Sequence, residues 1–294
     1  MPVTQTLTGH DKDLGGGFQV RRLLPDARRQ SVGPFLFFDH FGPVTLQPGS
    51  THDVRPHPHI GLATVTYLFD GAIMHRDSLG FAQRIEPGAI NWMTAGRGIV
   101  HSERAPDDLK NQTYVNHGIQ LWAALPRAHE EVAPDFVHTP AADIPVLQMR
   151  DATVRVLVGD AYGQSSPVRT FSKTLYLDIQ LAAGAVFELP PLAEELALYV
   201  VDGELMVDGE PVAVHTLVLL EPGLTATMEA GDASRLMVIG GDTLPERRFM
   251  WWNFVSSRKE RIVQAAQDWE QQAMGRVAGD DELIALPERR FSPD

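Results

Sequence analysis

Two pairs of side chains, His57 with His59 and His101 with Glu103, share a spacing that suits metal binding. Along a β-strand, residues two apart point to the same face, so each pair aims its donors together. Two adjacent or facing strands bearing these pairs would bring three imidazoles and one carboxylate to one ion inside a barrel. Imidazole suits iron, copper, nickel or zinc, and a carboxylate shifts the preference toward harder, octahedral ions. Four protein ligands on an octahedral ion leave two positions free for further ligands. An isolated His-x-His pair is more often a surface or core feature than a ligand pair. Here, however, seven of the eleven histidines lie between His40 and His117, and residues 151–294 contain only His215. That segregation favours the metal reading.

Short apolar runs must position these pairs. Residues 64–69 (TVTYLF) precede Asp70-Gly71, and residues 89–94 (AINWMT) follow Pro87-Gly88. β-Branched and aromatic residues closed by turn dipeptides are strand and hairpin signals. Many such strands across residues 20–240 predict an all-β sandwich or barrel architecture. Gly61, Gly96 and Gly98 flank the pairs and mark bends, close backbone approach or simple hairpin turns. One helix is expected late in the chain. Ser257 and Glu260 fit a capping box, Ile262, Ala266, Trp269 and Ala273 recur at helical spacing, and Gly275 ends the element. Its Ile262–Trp269 stripe is expected to pack on a barrel. The tail, residues 278–294, is expected to be partly loose.

The text between Leu125 and Leu147 turns proline- and acid-rich. It predicts an N-terminal metal-binding domain over 1–130, a linker over 131–146 and a metal-free domain with the terminal helix over 147–294. Asp70-Gly71 with Glu86-Pro87-Gly88 is echoed by Asp202-Gly203 with Glu221-Pro222-Gly223. Transferring the ligand offsets onto that echo gives Leu189, Pro191, Leu236 and Val238, none of them a ligand. One copy would hold metal and the other would be apolar scaffold.

A net charge of −13 over 294 residues repels phosphate backbones and argues against direct nucleic-acid binding. The chain has no cysteine, which removes disulfides, thiolate ligands and cysteine nucleophiles. Residues 1–17 lack the apolar stretch of a secretory signal, and no window approaches about 18 consecutive apolar residues. A cytoplasmic location without membrane insertion is expected.

The spacing His57-x-His59, Thr64, Gly71 matches the first cupin motif with threonine in place of its usual glutamate, and Gly98-x-x-His101 matches the core of the second. With the glutamate appearing instead as Glu103, the chain resembles the pirin family. Residues 32–43 (VGPFLFFDHFGP), 55–61 (RPHPHIG), 64–67 (TVTY), 75–78 (HRDS) and 98–103 (GIVHSE) all look like pirin text. The resemblance implies a bicupin of two facing β-barrels with a C-terminal helix and one mononuclear ion held by His57, His59, His101 and Glu103. Fe(II) is the expected ion, with Zn, Mn, Cu, Ni and Co as alternatives. Some pirins resemble quercetin 2,3-dioxygenases, which implies a flavonol and O2 as substrates and Glu103 as general base. Other pirins act as iron-dependent interaction proteins or transcriptional co-regulators, which implies a protein partner instead. Phe35, Phe37, Phe38, Phe41 and Trp92 are candidates for an aromatic pocket, with core packing the preferred reading of each.

Overall fold

The computed structural model describes residues 3–14, 18–50 and 52–292. Strands dominate them, and a single α-helix, Lys259–Glu270, follows near the end. The chain divides into two compact units whose segments interleave. One is built from the described residues of Met1–His10, Arg22–Phe38 and Thr139–Leu244, the other from those of Asp11–Arg21, Asp39–His138 and Pro245–Asp294. The second carries the histidine pairs.

Both units use the same topology. In the histidine-bearing unit a four-stranded antiparallel sheet runs Val54–His59, Ile99–Arg104, Ile73–Asp77, Ala82–Ile85. Its companion sheet runs Asp135–Thr139, Ile90–Thr94, Leu62–Asp70, Tyr114–Ala124, Phe35–Leu46, Gln19–Leu24, His10–Asp13. In the other unit the four-stranded sheet runs Val186–Leu189, Ala226–Ala230, Leu205–Val207, Glu210–Val212. The seven-stranded one runs Val3–Leu7, Leu217–Leu220, Glu195–Asp202, Ser234–Gly241, Thr174–Leu181, Ala152–Val158, Val146–Gln148. The two sets match strand for strand, so the faint sequence echo reflects a repeated fold.

The strands that match those of the site pair in the same antiparallel way. His57 pairs with His101 as Phe187 pairs with Met228, and His59 pairs with Ile99 as Leu189 pairs with Ala226. Glu103 pairs with His75 as Ala230 pairs with Leu205. Phe187, Leu189, Met228 and Ala230, on the strands that match those of the site, all lie in one apolar core cluster. The offsets Leu236 and Val238 miss because the Pro-Gly turns beside which they are counted are not equivalent. Pro87-Gly88 precedes the strand Ile90–Thr94, whereas Pro222-Gly223 follows the matching strand Leu217–Leu220. The second unit is apolar where the first carries imidazoles.

Several elements depart from expectation. Residues 131–146 carry the strand Asp135–Thr139 and the short 3-10 turn Ala141–Asp143, because Phe136 has a core to enter and stacks on the His75 ring at 4.1 Å. The helix has no capping box. Ser257 gives its hydroxyl to buried Glu130 at 3.0 Å, so Arg258 is the N-cap without a side-chain cap bond. The helix buries Ile262, Ala265 and Trp269 against Ile60, Val100 and Phe254. It stops at Glu270, short of Ala273, which is exposed. The tail is anchored: Arg104 bonds Asp280 and Glu282 at 2.7 and 2.8 Å, and the Ile284 N–H bonds the Pro56 carbonyl at 2.9 Å. Its last two residues lie outside the described ones. No helix among the described residues is long and apolar enough to cross a membrane.

Candidate metal centre

Histidines 57 and 59 lie on the strand Val54–His59, and the adjacent antiparallel strand Ile99–Arg104 sets His101 opposite His57. The ring centroids of the three histidines are 4.4 to 5.1 Å apart. One ligand nitrogen from each lies within 4.8 Å of the others, and all three residues are buried. Glu103 falls outside that cluster. After His101 the register slips by one residue, so Glu103 sits opposite Val54 instead of Arg55. Pro56 lies beside the slip and has no N–H for a regular ladder. The Glu103 carboxylate accepts a long bond from the Thr66 hydroxyl at 3.4 Å. The single Thr66 hydroxyl proton is shared with the nearer Gln120 Oε1 at 2.8 Å, and His59 meets the Trp122 ring edge-on at 5.0 Å. The companion sheet therefore closes over the histidines.

The outer nitrogens explain how the cluster faces inward. His57 donates its Nδ1–H to the Arg55 carbonyl at 2.8 Å, and His59 donates its own to the Asn253 carbonyl at 3.2 Å. Fixing the proton on Nδ1 leaves the Nε2 lone pair for a ligand. The Asn253 carbonyl comes from the hairpin Phe249–Trp251 and Phe254–Ser256, which lies against the end of the His59 strand. Gly61 permits that approach. Its φ is +68°, and a Cβ there would lie 2.0 Å from the Val255 carbonyl oxygen. Gly96 is similar, at φ +51° with a virtual Cβ 2.1 Å from the Val132 oxygen. Both glycines serve close backbone approach as well as turning.

The sequence reading did not single out His75 and Asp77 as part of the site. His75 contacts His101 through the two Nδ1 atoms at 3.4 Å and meets Asp77 Oδ2 through Nε2 at 3.0 Å. Both are buried. Their i, i+2 spacing is the same signal that marks the ligand pairs. The aromatic candidates lie elsewhere in core packing. Phe35 and Phe38 pack toward Tyr176 and Tyr199, Phe37 lies under Arg22, Phe41 meets Phe18, and Trp92 is buried.

Burial shapes the electrostatics. It pulls the His57 imidazole down to about 4, with the Arg55 carbonyl bond pulling the other way. Burial, and then the neighbouring histidines, hold His59 and His101 well below the ordinary imidazole range. Burial pushes the Glu103 carboxyl up to about 7, against the opposing pull of the Thr66 hydroxyl. Neutral imidazoles are what a metal needs. The buried Nε2 of His101 has no hydrogen-bond partner, an arrangement that a metal ion would relieve. The donor set fits a transition metal.

These shifts also predict a pH dependence for the metal-stripped protein. Below pH 6.5 the unfolded chain binds protons that the folded histidines refuse, so stability falls as pH drops. Between pH 7.5 and 5 each of the three histidines therefore lowers stability. Glu103 acts oppositely, since the folded carboxyl holds a proton that the unfolded one releases, and it returns about 2 kcal/mol. Thermal melts at the two pH values should show lower stability at pH 5, with a smaller drop in His59→Gln. Equal drops in both proteins would contradict the assignment.

A family model described as Pirin matches residues 17–123, and one described as the Pirin C-terminal cupin domain matches residues 176–275. The chain belongs to the pirin family. It is 43% identical over 284 residues to the Pirin-like protein of Caulobacter vibrioides, covering 94% of this chain and 96% of that one. With the Pirin of Homo sapiens the identity is 32% over 279 residues, covering 91% of each. Among solved structures, that of quercetin 2,3-dioxygenase from Acinetobacter baumannii matches with a TM-score of 0.90 at 34% identity, covering 99% of this chain and 96% of that one. The two repeated units of this pirin are its two cupin domains.

Proposed function

We propose that the chain is a metal-dependent dioxygenase acting on a flavonol such as quercetin, with His57, His59, His101 and Glu103 holding one ion, Fe(II) by preference. The observation that carries this reading is the convergence of three buried imidazoles on one point, with the Glu103 carboxyl two residues along the strand from His101. The similarity to the quercetin 2,3-dioxygenase of Acinetobacter baumannii supports the choice of substrate class. When bound, the metal supplies Lewis-acid and redox chemistry toward dioxygen and a hydroxylated aromatic.

The chain's own residues do the rest. Glu103, a carboxyl two residues along the strand from His101, is suited to accept the proton of the flavonol 3-hydroxyl. Its contact to Thr66 is at the long end for O–H···O, so little is lost when the carboxylate turns to the ion or the substrate. His57 and His59 are held by backbone carbonyls and keep their orientation through the reaction. Buried Trp122 and the surrounding apolar strands keep bulk water from the site.

Anaerobic loading with Fe(II), followed by flavonol and then air, tests the proposal. Loss of the flavonol's long-wavelength absorbance with release of carbon monoxide is expected. Failure across several flavonols and several metals would favour the iron-dependent interaction protein. A pull-down comparing ferrous and ferric protein then tests that reading, and identical partner sets in both states would count against a redox switch.

A further inference from the structure

We propose that Asp77 and His75 are positioning residues that set which nitrogen of His101 carries the proton, and thereby control how tightly the site holds metal. The inference rests on the metal reading above, but its first readout does not involve metal.

With His75 neutral and Asp77 ionised, the chain of contacts orders the protons. Asp77 sits on the strand Ile73–Asp77 with a fully buried side chain. Its Oδ1 accepts the backbone N–H groups of Leu79 at 2.9 Å and Phe81 at 3.1 Å. A carboxylate has only acceptors to offer, so Oδ2 accepts from His75, whose Nε2 must carry a proton. A neutral imidazole with its proton on Nε2 presents a bare lone pair at Nδ1. That lone pair faces Nδ1 of His101 at 3.4 Å, where only a donor is favourable. His101 therefore carries its proton on Nδ1 and keeps Nε2 bare. Nε2 is the buried atom with no partner, on one of the three residues whose ligand atoms cluster.

Packing holds the relay in place. Phe136 stacks on the His75 ring at 4.1 Å and 12°, which prevents the ring from turning to offer its other nitrogen. Asp77 is fixed by the turn that follows its strand, where its own N–H bonds the Phe81 carbonyl at 3.1 Å. His57 and His59 rely on backbone carbonyls for the same task, and a carbonyl cannot change its hydrogen-bonding sense. Only the His101 arm depends on side chains, and so only that arm can be inverted by substitution.

Asp77→Asn is the inverting change. The amide oxygen stays with the Leu79 and Phe81 N–H groups, which need an acceptor, and the NH2 then faces Nε2 of His75. His75 must shift its proton to Nδ1, and His101 must in turn accept there and carry its proton on Nε2. The bare nitrogen that faced the metal position becomes a donor. Outer-shell partners of this kind typically tune metal affinity 10–100-fold.

The test uses the metal-stripped full-length chain labelled with 15N. Long-range proton–nitrogen spectra of the wild type should show His101 protonated on Nδ1, and those of Asp77→Asn should show it on Nε2. Zn(II) affinity, measured by competition with a chelator, should be roughly 10–100-fold weaker in the variant. Wild-type His101 protonated on Nε2, or an unchanged tautomer in folded Asp77→Asn, overturns the relay while leaving the ligand set intact. Because the first of these is read on the wild type, it stands even when the variant fails to fold. An inverted tautomer with unchanged Zn(II) affinity overturns the role of His101 as a ligand instead.

Discussion

Removing His101 is expected to strip the purified protein of most of its metal. His101→Ala deletes one of three clustered nitrogens, the one whose Nε2 has no other partner. Altering an outer-shell contact typically weakens a site 10–100-fold, so losing a ligand should exceed the upper end of that range. Elemental analysis of the variant should find only traces, whereas His10→Ala, at an exposed strand residue, should match the wild type. Normal metal content in His101→Ala would mean that the ion sits elsewhere, and the dioxygenase proposal would fall with it.

Phe254→Ala should damage both stability and metal binding. The ring is fully buried in the cluster with Ile60, Val100, Ile262, Ala265 and Trp269, and it meets Trp252 edge-on at 5.3 Å. Deleting a buried phenyl ring costs about 3–5 kcal/mol. The substituted residue also follows Asn253, whose carbonyl orients His59, and flanks the Val255 N–H that bonds the Ile60 carbonyl at 3.2 Å. Loosening this hairpin should therefore weaken Zn(II) binding as well as lower the urea midpoint. A loss below about 1 kcal/mol would show that the hairpin repacks around the cavity.

The sequence made the histidine cluster legible because a two-residue repeat on a strand leaves little freedom in where side chains point. Glu103 obeys the same spacing yet stands outside the three-nitrogen cluster, since the register slip beside Pro56 is invisible without the partner strand. His75-x-Asp77 carries the same two-residue spacing as the ligand pairs, and nothing in the spacing alone separates a ligand from a residue that holds one. The capping box at Ser257 failed for a long-range reason: Glu130, 127 residues away, takes the hydroxyl that would have served the helix. The proline-rich stretch misled in a related way. Prolines 134, 140 and 145 punctuate turns, but Phe136 and Thr139 between them are buried and form part of a strand. Local composition reports turns well. Which distant group competes for a side chain, or which core is waiting for an apolar one, depends on the finished fold.

The edge strand Val3–Leu7 has consequences for how the molecule is made. It pairs with Leu217–Leu220, and Thr4 bonds the Leu219 carbonyl across 215 residues. At ordinary ribosomal speeds the nascent segment waits about 10 to 40 seconds for its mate. The histidine-bearing unit waits longer still, for the last fifty residues that supply Asn253 and Phe254. One unit cannot be completed before Leu244 has emerged, nor the other before residues 245–294 follow, so expressing either half alone would leave unpaired β-edges, a known route to aggregation.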